Sequence, residues 1–453
     1  MLCSRFLRPR GEEARGALYR GSERVFDWMR HHYEQSLRWV LAHRLGTMVV
    51  SLLLLLATGY LFVVVPKGFI PSEDNSQVFV VTEAPQGASF DAMTRDQQRL
   101  AELVRGDPNV MQFFSSIGGG AGTSLGGPNF GRMFLHLKPP SERVLDVEGV
   151  IGELRSKLAA FPPMRVFMQN PPTIRIGGQL TKSLYQFSLQ SPDIDTLFRI
   201  APQFEAKLRA MHELEGVTSD LQIRTPQVEV QIDRQKAAAL GVTVQQVENA
   251  LGAAYGPRWI STIYAPNNQY EVLLELEPQF QSAPTDLSRL YITSNPTGTP
   301  TNAAAALVPL DALASVSDTA GPASINHLGQ LPAVTISFNL KTGVSLGNVL
   351  SKIQDAARRT LPETISSSFQ GAAQAFQSSL TGLGLLLVVT ILVIYLVLGI
   401  LYESFVHPLT ILSGLPSAGF GALLTLLLFR VELNLYSFVG LILLIGIVKK
   451  NAI

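Results

Sequence analysis

Three uncharged apolar runs, Gly46–Val65, Ser378–Tyr402 and Pro408–Phe429, constrain this chain more than any other feature. Each holds about 20 residues or more, enough for a helix rising about 1.5 Å per residue to cross the hydrocarbon core of a bilayer. Between the first and the second lies a long stretch patterned like a water-soluble domain. The overall composition, 47% hydrophobic and 16% charged with a net charge of +1, averages over these two compartments. Its near-neutral balance points to no nucleic-acid partner.

A fourth apolar run, Leu433–Val448, stops at Lys449, Lys450 and Asn451. At about 16 residues it is short for a span unless the helix continues past the lysines. With no polar tail before Ile453, residues 433–453 read as a truncated membrane helix. The lysines admit two readings. They sit at the cytoplasmic edge, as the positive-inside rule has it, or inside the bilayer against carboxylates on an ion or proton path.

Orientation follows from the flanks. Residues 1–45 carry Arg5, Arg8, Arg10, Arg15, Arg20, Arg24, Arg30, Arg38 and Arg44, which marks them as a cytoplasmic basic segment. Gly46–Val65 lies too far from the start and is too long for a signal-peptide core, so it reads as a span carrying residues 66 to about 375 outward. The next span (378–402) returns and the third (408–429) exits again. Cys3 is the only cysteine, so the exported domain has no disulfide and must hold itself with an ordinary core. These features fit a multi-pass protein of a bacterial inner membrane with a large periplasmic domain, and they exclude cysteine metal sites and thiol catalysis.

The exported part alternates short β-rich runs with amphipathic helical ones. Gln77–Thr82, Val110–Ser116, Arg132–Leu137 and Arg165–Gln169 read as strands, and Ser89–Arg105 and Val147–Ala160 as helices. The order β-α-β-β-α-β describes a ferredoxin-like split unit, helices on one face of an antiparallel sheet, in an α+β fold. A second unit starts with strand Leu184–Gln190, helix Asp193–Met211 and strand Val217–Ile223. It resumes with strand Ala333–Asn339 and helix Ser345–Thr360. Gln227 to about Ser317, with strands near Val228–Ile232 and Tyr270–Leu276, is an insertion that splits it.

Gly118–Gly127 contains a formal G-x-S-x-G, Gly122 to Gly126, but a nucleophile elbow needs a strand before the serine and a helix after it. Here glycines precede and Gly127-Pro128-Asn129 follow. No catalytic constellation emerges, so the chain reads as a non-enzyme needing no cofactor. His212-Glu213 lacks the second histidine of a zinc motif, and His31-His32 lies in the basic segment. Phe113, Phe114, Phe130, Phe134, Phe161 and Phe167 cluster around the first unit, as core or as the lining of an apolar site. Ser413, Ser417 and Gly421 recur every four residues and predict close helix packing. Glu403 reads as a capping charge in an inner loop.

Three long motifs carry a resemblance. Leu398–Thr410, Leu415–Gly419 and Gly446–Ile453 resemble the resistance-nodulation-division (RND) superfamily of proton-driven efflux pumps, in its hydrophobe/amphiphile branch. Ile260–Tyr264 with Asn268–Tyr270, and Ser324–His327 with Thr335–Leu340, are similar to the Mdt-type B and C subunits of that branch. The likeness covers nearly the whole chain and corresponds to the second half of such pumps. It implies a layout of porter subdomain PC1 at 70–182, PC2 at 183–224 and 318–372, and a docking subdomain at 225–317. It also implies a homo- or heterotrimer working with a periplasmic adaptor and an outer-membrane channel, as in acriflavin-resistance pumps.

The resemblance further implies site residues. Lys450, with Asn451 beside it, matches the family's proton-relay lysine, which pairs with two aspartates outside this sequence. Phe114, Phe134, Phe167 and Val80 fall at substrate-pocket positions. Gly118, Gly119, Gly120, Ala121 and Gly122 fall at the switch loop. Relatives carry phenylalanines in that loop and this chain does not, which implies a different or narrower set of amphiphilic drugs or bile-salt-like compounds. Competing readings are an RND transporter of lipids or metal ions, a protein-export accessory, or a membrane-anchored binding protein. Spans without Asp or Glu, and without methionine beyond Met48, weigh against metal export.

Overall fold

The computed structural model describes residues 17–71, 73–118, 127–159, 161, 164–174, 176–256, 258–281, 283–294, 306–341 and 343–452. In chain order, α1 (Ala17–Ala42) and α2 (Arg44–Val64) precede β1 (Gln77–Glu83), α3 (Phe90–Arg105), β2 (Val110–Ile117), β3 (Phe130–Leu137), α4 (Val147–Ala159) and β4 (Arg165–Gln169). Next come β5 (Tyr185–Gln190), α5 (Ile194–Arg209), β6 (Leu214–Ser219), β7 (Thr225–Ile232), α6 (Arg234–Ala239), α7 (Val244–Tyr255), β8 (Arg258–Ala265) and β9 (Asn268–Leu274). The walk continues through β10 (Tyr291–Ser294), β11 (Ala306–Pro309), β12 (Ala314–Gly321), β13 (His327–Leu328), β14 (Leu331–Leu340), α8 (Leu346–Thr360) and β15 (Ser366–Gln370). It ends with α9 (Gly371–Tyr402), α10 (Val406–Leu412), α11 (Leu415–Leu428) and α12 (Leu435–Ala452). The chain forms two compact units, Ser72–Thr342 with Lys352–Ala375, and Met1–Pro71 with Gly343–Ser351 and Phe376–Ile453.

In the first of these units, β1 to β4 form an antiparallel sheet of order β2-β3-β1-β4. Helix α3 forms because Ser89 caps it, its hydroxyl accepting from the Ala92 N–H at 3.2 Å, and because Asp91 and Arg105 suit the two ends of the helix dipole. It buries Met93, Gln97, Leu100 and Val104, a stripe at helical spacing. Leu100 and Val104 pack with Val150 and Leu154 of α4 against Val78, Val80, Met133 and Leu135 of the sheet. Gln97 is the polar exception: Thr82 Oγ1 donates to its Oε1 at 2.7 Å, and its Nε2 donates to Ser115 Oγ at 3.0 Å. Gly131 leaves room for this bridge, since a Cβ there would stand 2.4 Å from Thr82 Oγ1.

The second sheet repeats the plan. Its order β6-β14-β5-β15 again runs second, third, first, fourth strand of the unit, all antiparallel, with β13 folding back on the start of β14. Helix α5, capped by Asp193, buries Leu197, Ala201, Phe204 and Leu208 at the same 4-3-4 spacing as α3. Strand β15 is absent from the sequence reading, because Ser366-Ser367-Ser368-Phe369-Gln370 carries a single apolar residue and no alternation. The second strand of this unit also lies upstream of its expected place, at Leu214–Ser219 in place of Val217–Ile223.

The insertion leaves and re-enters this sheet side by side, β7 pairing with β12. It encloses its own core of Val242, Val247, Leu287, Ile292, Leu310 and Leu313, and it extends an exposed hairpin, β8–β9. Its helices α6 and α7 are absent from the sequence reading.

In the other unit, three stretches are long and apolar enough to cross a membrane: Arg44–Val64, Gly371–Tyr402 and Val406–Leu428. The third is broken after Leu412, where Gly414 and Pro416 start a new helix and proline supplies no N–H. The basic segment, read without secondary structure, is helical from Ala17. Ser413, Ser417 and Gly421 are exposed and make no helix seam within this chain. The close approach falls instead at Gly419, where a Cβ would stand 3.2 Å from Thr58 Cγ2, and Thr58 Oγ1 donates to the Pro416 carbonyl at 2.9 Å. Leu61, Val65, Leu423, Leu433 and Phe438 close that core. Glu403 ends α9 in a left-handed turn at φ 48°.

Two stability outcomes follow from this packing. Gly131→Ala forces Thr82 or Gln97 from the bridge and is expected to cost about 1–3 kcal/mol in unfolding free energy, as overpacking does; an unchanged unfolding midpoint would contradict it. Asp220 accepts from the Thr335 N–H and from Asn326 Nδ2, both at 2.8 Å, yet burial pushes its carboxyl up to about 6. The folded state therefore holds this proton more tightly than the unfolded chain, where the ordinary value of 3.8 applies. That stabilisation is complete below about pH 4 and is lost as pH rises through about 6. Relative to Asp220→Asn, the wild type should lose up to about 3 kcal/mol over that window. A stability difference that stays flat with pH would show that Asp220 titrates normally, and one that grows with pH that its carboxyl is lowered; either contradicts the prediction.

Candidate functional site

Alternation along the strands of the first sheet sorts their side chains onto two faces. Direct pairing of Phe79 with Phe134, and of Phe134 with Phe114, sets these three rings in one row on the face away from α3 and α4. Phe167 lies opposite Val81 on β4, on the same face and one pair along. The Phe79 and Phe134 ring centroids are 4.9 Å apart and tilted by 42°, a favourable aromatic contact. Exposure grades across the row: Phe79 is 2% exposed, Phe134 44% and Phe114 62%. One half of the face is covered and the other is open.

The covered half is held by charge. Lys182 is buried, and its Nζ donates to Glu83 Oε1 at 2.9 Å and to the Ser219 carbonyl at 3.0 Å. The same ammonium lies 5.2 Å from the Phe130 ring centroid and 5.6 Å from that of Phe167. Burial pushes its pKa down, with Glu83 acting in the opposite direction. Arg165 Nη1 approaches Glu83 Oε2 at 3.5 Å and stacks its guanidinium 5.1 Å from Phe167. Glu83 thus ties together two cations, and Lys182 ties the first sheet to the second. Leu180 packs over Phe79, Val81 and Phe130 and completes the cover. Beside it, a cavity of about 270 Å³ opens along the edge of β4, lined by Arg155, Leu158, Met164, Arg165 and Phe167.

Of the substrate-pocket residues expected from sequence, Phe114, Phe134 and Phe167 share this face. Val80 does not: it is fully buried and packs with Leu100 and Val104 on the helix side. The run Val78-Phe79-Val80-Val81 is apolar on both faces, so its sequence carries no alternation to separate them. Phe79, the central ring, occupies the place that Val80 was expected to take. Phe113 also points to the helix side. Arg132, Lys182, Glu83 and Arg165 were missed as well, since their meeting depends on strand register and on a loop contact distant in sequence. Gly118, at the foot of the expected switch loop, has φ 84° and donates its N–H to the Phe130 carbonyl at 2.7 Å, closing β2 onto β3. Gly119, Gly120, Ala121 and Gly122 lie outside the described residues.

In the other unit, α12 continues through both lysines to Ala452. Lys450 is exposed within this chain, and among the described residues no carboxylate pairs with it. The side chains of Lys449 and Asn451 lie outside the described residues.

The fold has solved counterparts. Two crystal forms of a heavy metal efflux pump superpose with TM-scores of 0.81 and 0.82 at 20% identity, and each match covers 94% of this chain and 44% of the pump. The chain thus spans less than half the length of those proteins, and at that identity the likeness is one of fold. The profile of the AcrB/AcrD/AcrF family matches residues 1–453, the entire sequence, and the chain belongs to that family.

Proposed function

We propose that this chain is half of an inner-membrane, proton-driven exporter of amphiphilic small molecules, drug-like or bile-salt-like. The observation that carries the reading is the row of Phe114, Phe134 and Phe79, because an apolar cargo gains most where large aromatic surface is open and its backing is rigid. Two split β-α-β-β-α-β units, ferredoxin-like in plan, act as the porter subdomains PC1 and PC2. The insertion between β7 and β12 acts as the docking subdomain, facing an outer-membrane channel. Family membership supports a trimer, of one or two kinds of subunit, working with a periplasmic adaptor. Val80 has no place in this site, because its side chain faces the helices.

Lys450, with Asn451 next to it, supplies the proton relay. A lysine in a low-dielectric setting favours the charged form of nearby carboxylates, and protonating them removes that attraction. Each proton then shifts the balance between two helix positions. The aspartates required belong to the remainder of the pump. The solved neighbours suggest a metal cargo as the competing reading.

Transport by the full-length pump in proteoliposomes with an imposed proton gradient tests both parts. Lys450→Ala should abolish gradient-driven dye efflux while leaving expression and trimer assembly intact; efflux that persists would sink the relay. Phe134→Ala should weaken the apparent affinity for apolar dyes roughly tenfold, the loss expected for one well-packed ring. A pump that moves divalent metal ions and no dye would replace the amphiphile reading with the metal one.

A further inference from the structure

Arg132 stands on the aromatic face, directly paired with Val81 on one side and Ser116 on the other, at the border between its covered and open halves. One pair along β3 lies buried Phe130, and one pair the other way lies exposed Phe134. The Nε of Arg132 is buried without a hydrogen-bond partner, and among the described residues no carboxylate pairs with the guanidinium. A charged donor withdrawn from water and left unmatched is costly, and a ligand that brings an acceptor recovers that cost. The charge around it points to the same chemistry. Arg165 and Lys182 add positive charge along the same face, and Glu83 forms ion pairs with both of them, at 3.5 and 2.9 Å.

Resting on the proposed amphiphile site, we infer that Arg132 is its anion subsite and that the face selects amphiphiles with a carboxylate or sulfonate head. The apolar body lies on Phe134 and Phe114. The head reaches the guanidinium about 7 Å away, the spacing of same-face neighbours along a strand. A planar guanidinium offers paired donors to such a group, which a lysine at this position does not. Neutral amphiphiles use the rings alone.

Two naphthalene probes of similar size separate these contributions: 1-anilinonaphthalene-8-sulfonate, which is anionic, and N-phenyl-1-naphthylamine, which is neutral. Binding is measured by fluorescence to the full-length protein in lipid nanodiscs, with empty discs subtracted and the unfolding temperature of each variant recorded. Arg132→Gln should weaken the sulfonate at least tenfold and leave the neutral probe within twofold. Arg132→Lys should retain part of the sulfonate affinity, and Phe134→Ala should weaken both probes. If Arg132→Gln affects both probes equally, or neither, while Phe134→Ala weakens both, the anion subsite is wrong and the aromatic site stands. If Phe134→Ala affects neither probe, the aromatic site itself is wrong, and the anion subsite falls with it.

Discussion

A four-stranded sheet covered by helices on a single face leaves its other face to be resolved by some other means, and that constraint organises the larger unit. In the first sheet the helix side closes in the ordinary way, with Leu100, Val104, Val150 and Leu154 against Val78, Val80, Met133 and Leu135. The opposite side begins with large rings and would be a liability if left bare. Half of it is sealed by Leu180 and by the buried Lys182, whose bonds reach Glu83 in one sheet and Ser219 in the other. The remaining half stays open at Phe134 and Phe114. A folded core and an open aromatic surface thereby come from the same strands, separated only by the alternation of side chains.

The seal is electrostatic as much as apolar. A lysine buried beside one carboxylate and over two rings is held by attraction that grows as water leaves, and removing either partner strands a charge. Such a link is specific in geometry, and it fixes how far the covered half extends over the face. Arg132 sits where that cover ends, and its Nε is withdrawn from solvent there without a partner from the protein.

Much of this was legible in the sequence. Helices α3 and α5 announce themselves by caps and a 4-3-4 apolar stripe, and the membrane segments by length and lack of charge. The β-α-β-β-α-β order of the first unit follows from the same periodicities. What the sequence conceals depends on pairing. Val80 and Phe79 are neighbours in an unbroken apolar run, and only the register with Phe134 shows which one faces the open side. Strand β15 is polar and exists because β5 offers it a partner along its whole length. The seam residue Gly419 lies off the expected Ser413, Ser417 and Gly421 stripe because it stands two residues from both Ser417 and Gly421 on the same helix, and so on the opposite face. Lys182 was visible only as a boundary between two units; its role as the bolt between them needed three dimensions.

The central claim is that the open half of the first sheet is where an apolar cargo rests. Photolabelling tests it most directly: a diazirine-bearing amphiphile is bound to the full-length protein, irradiated, and its adducts are mapped by mass spectrometry to single residues. Adducts concentrated on Phe114, Phe134 and their same-face neighbours, and suppressed by excess unlabelled compound, are the predicted result. Competable adducts confined to the membrane helices or to the helix-covered side of the sheet would contradict it.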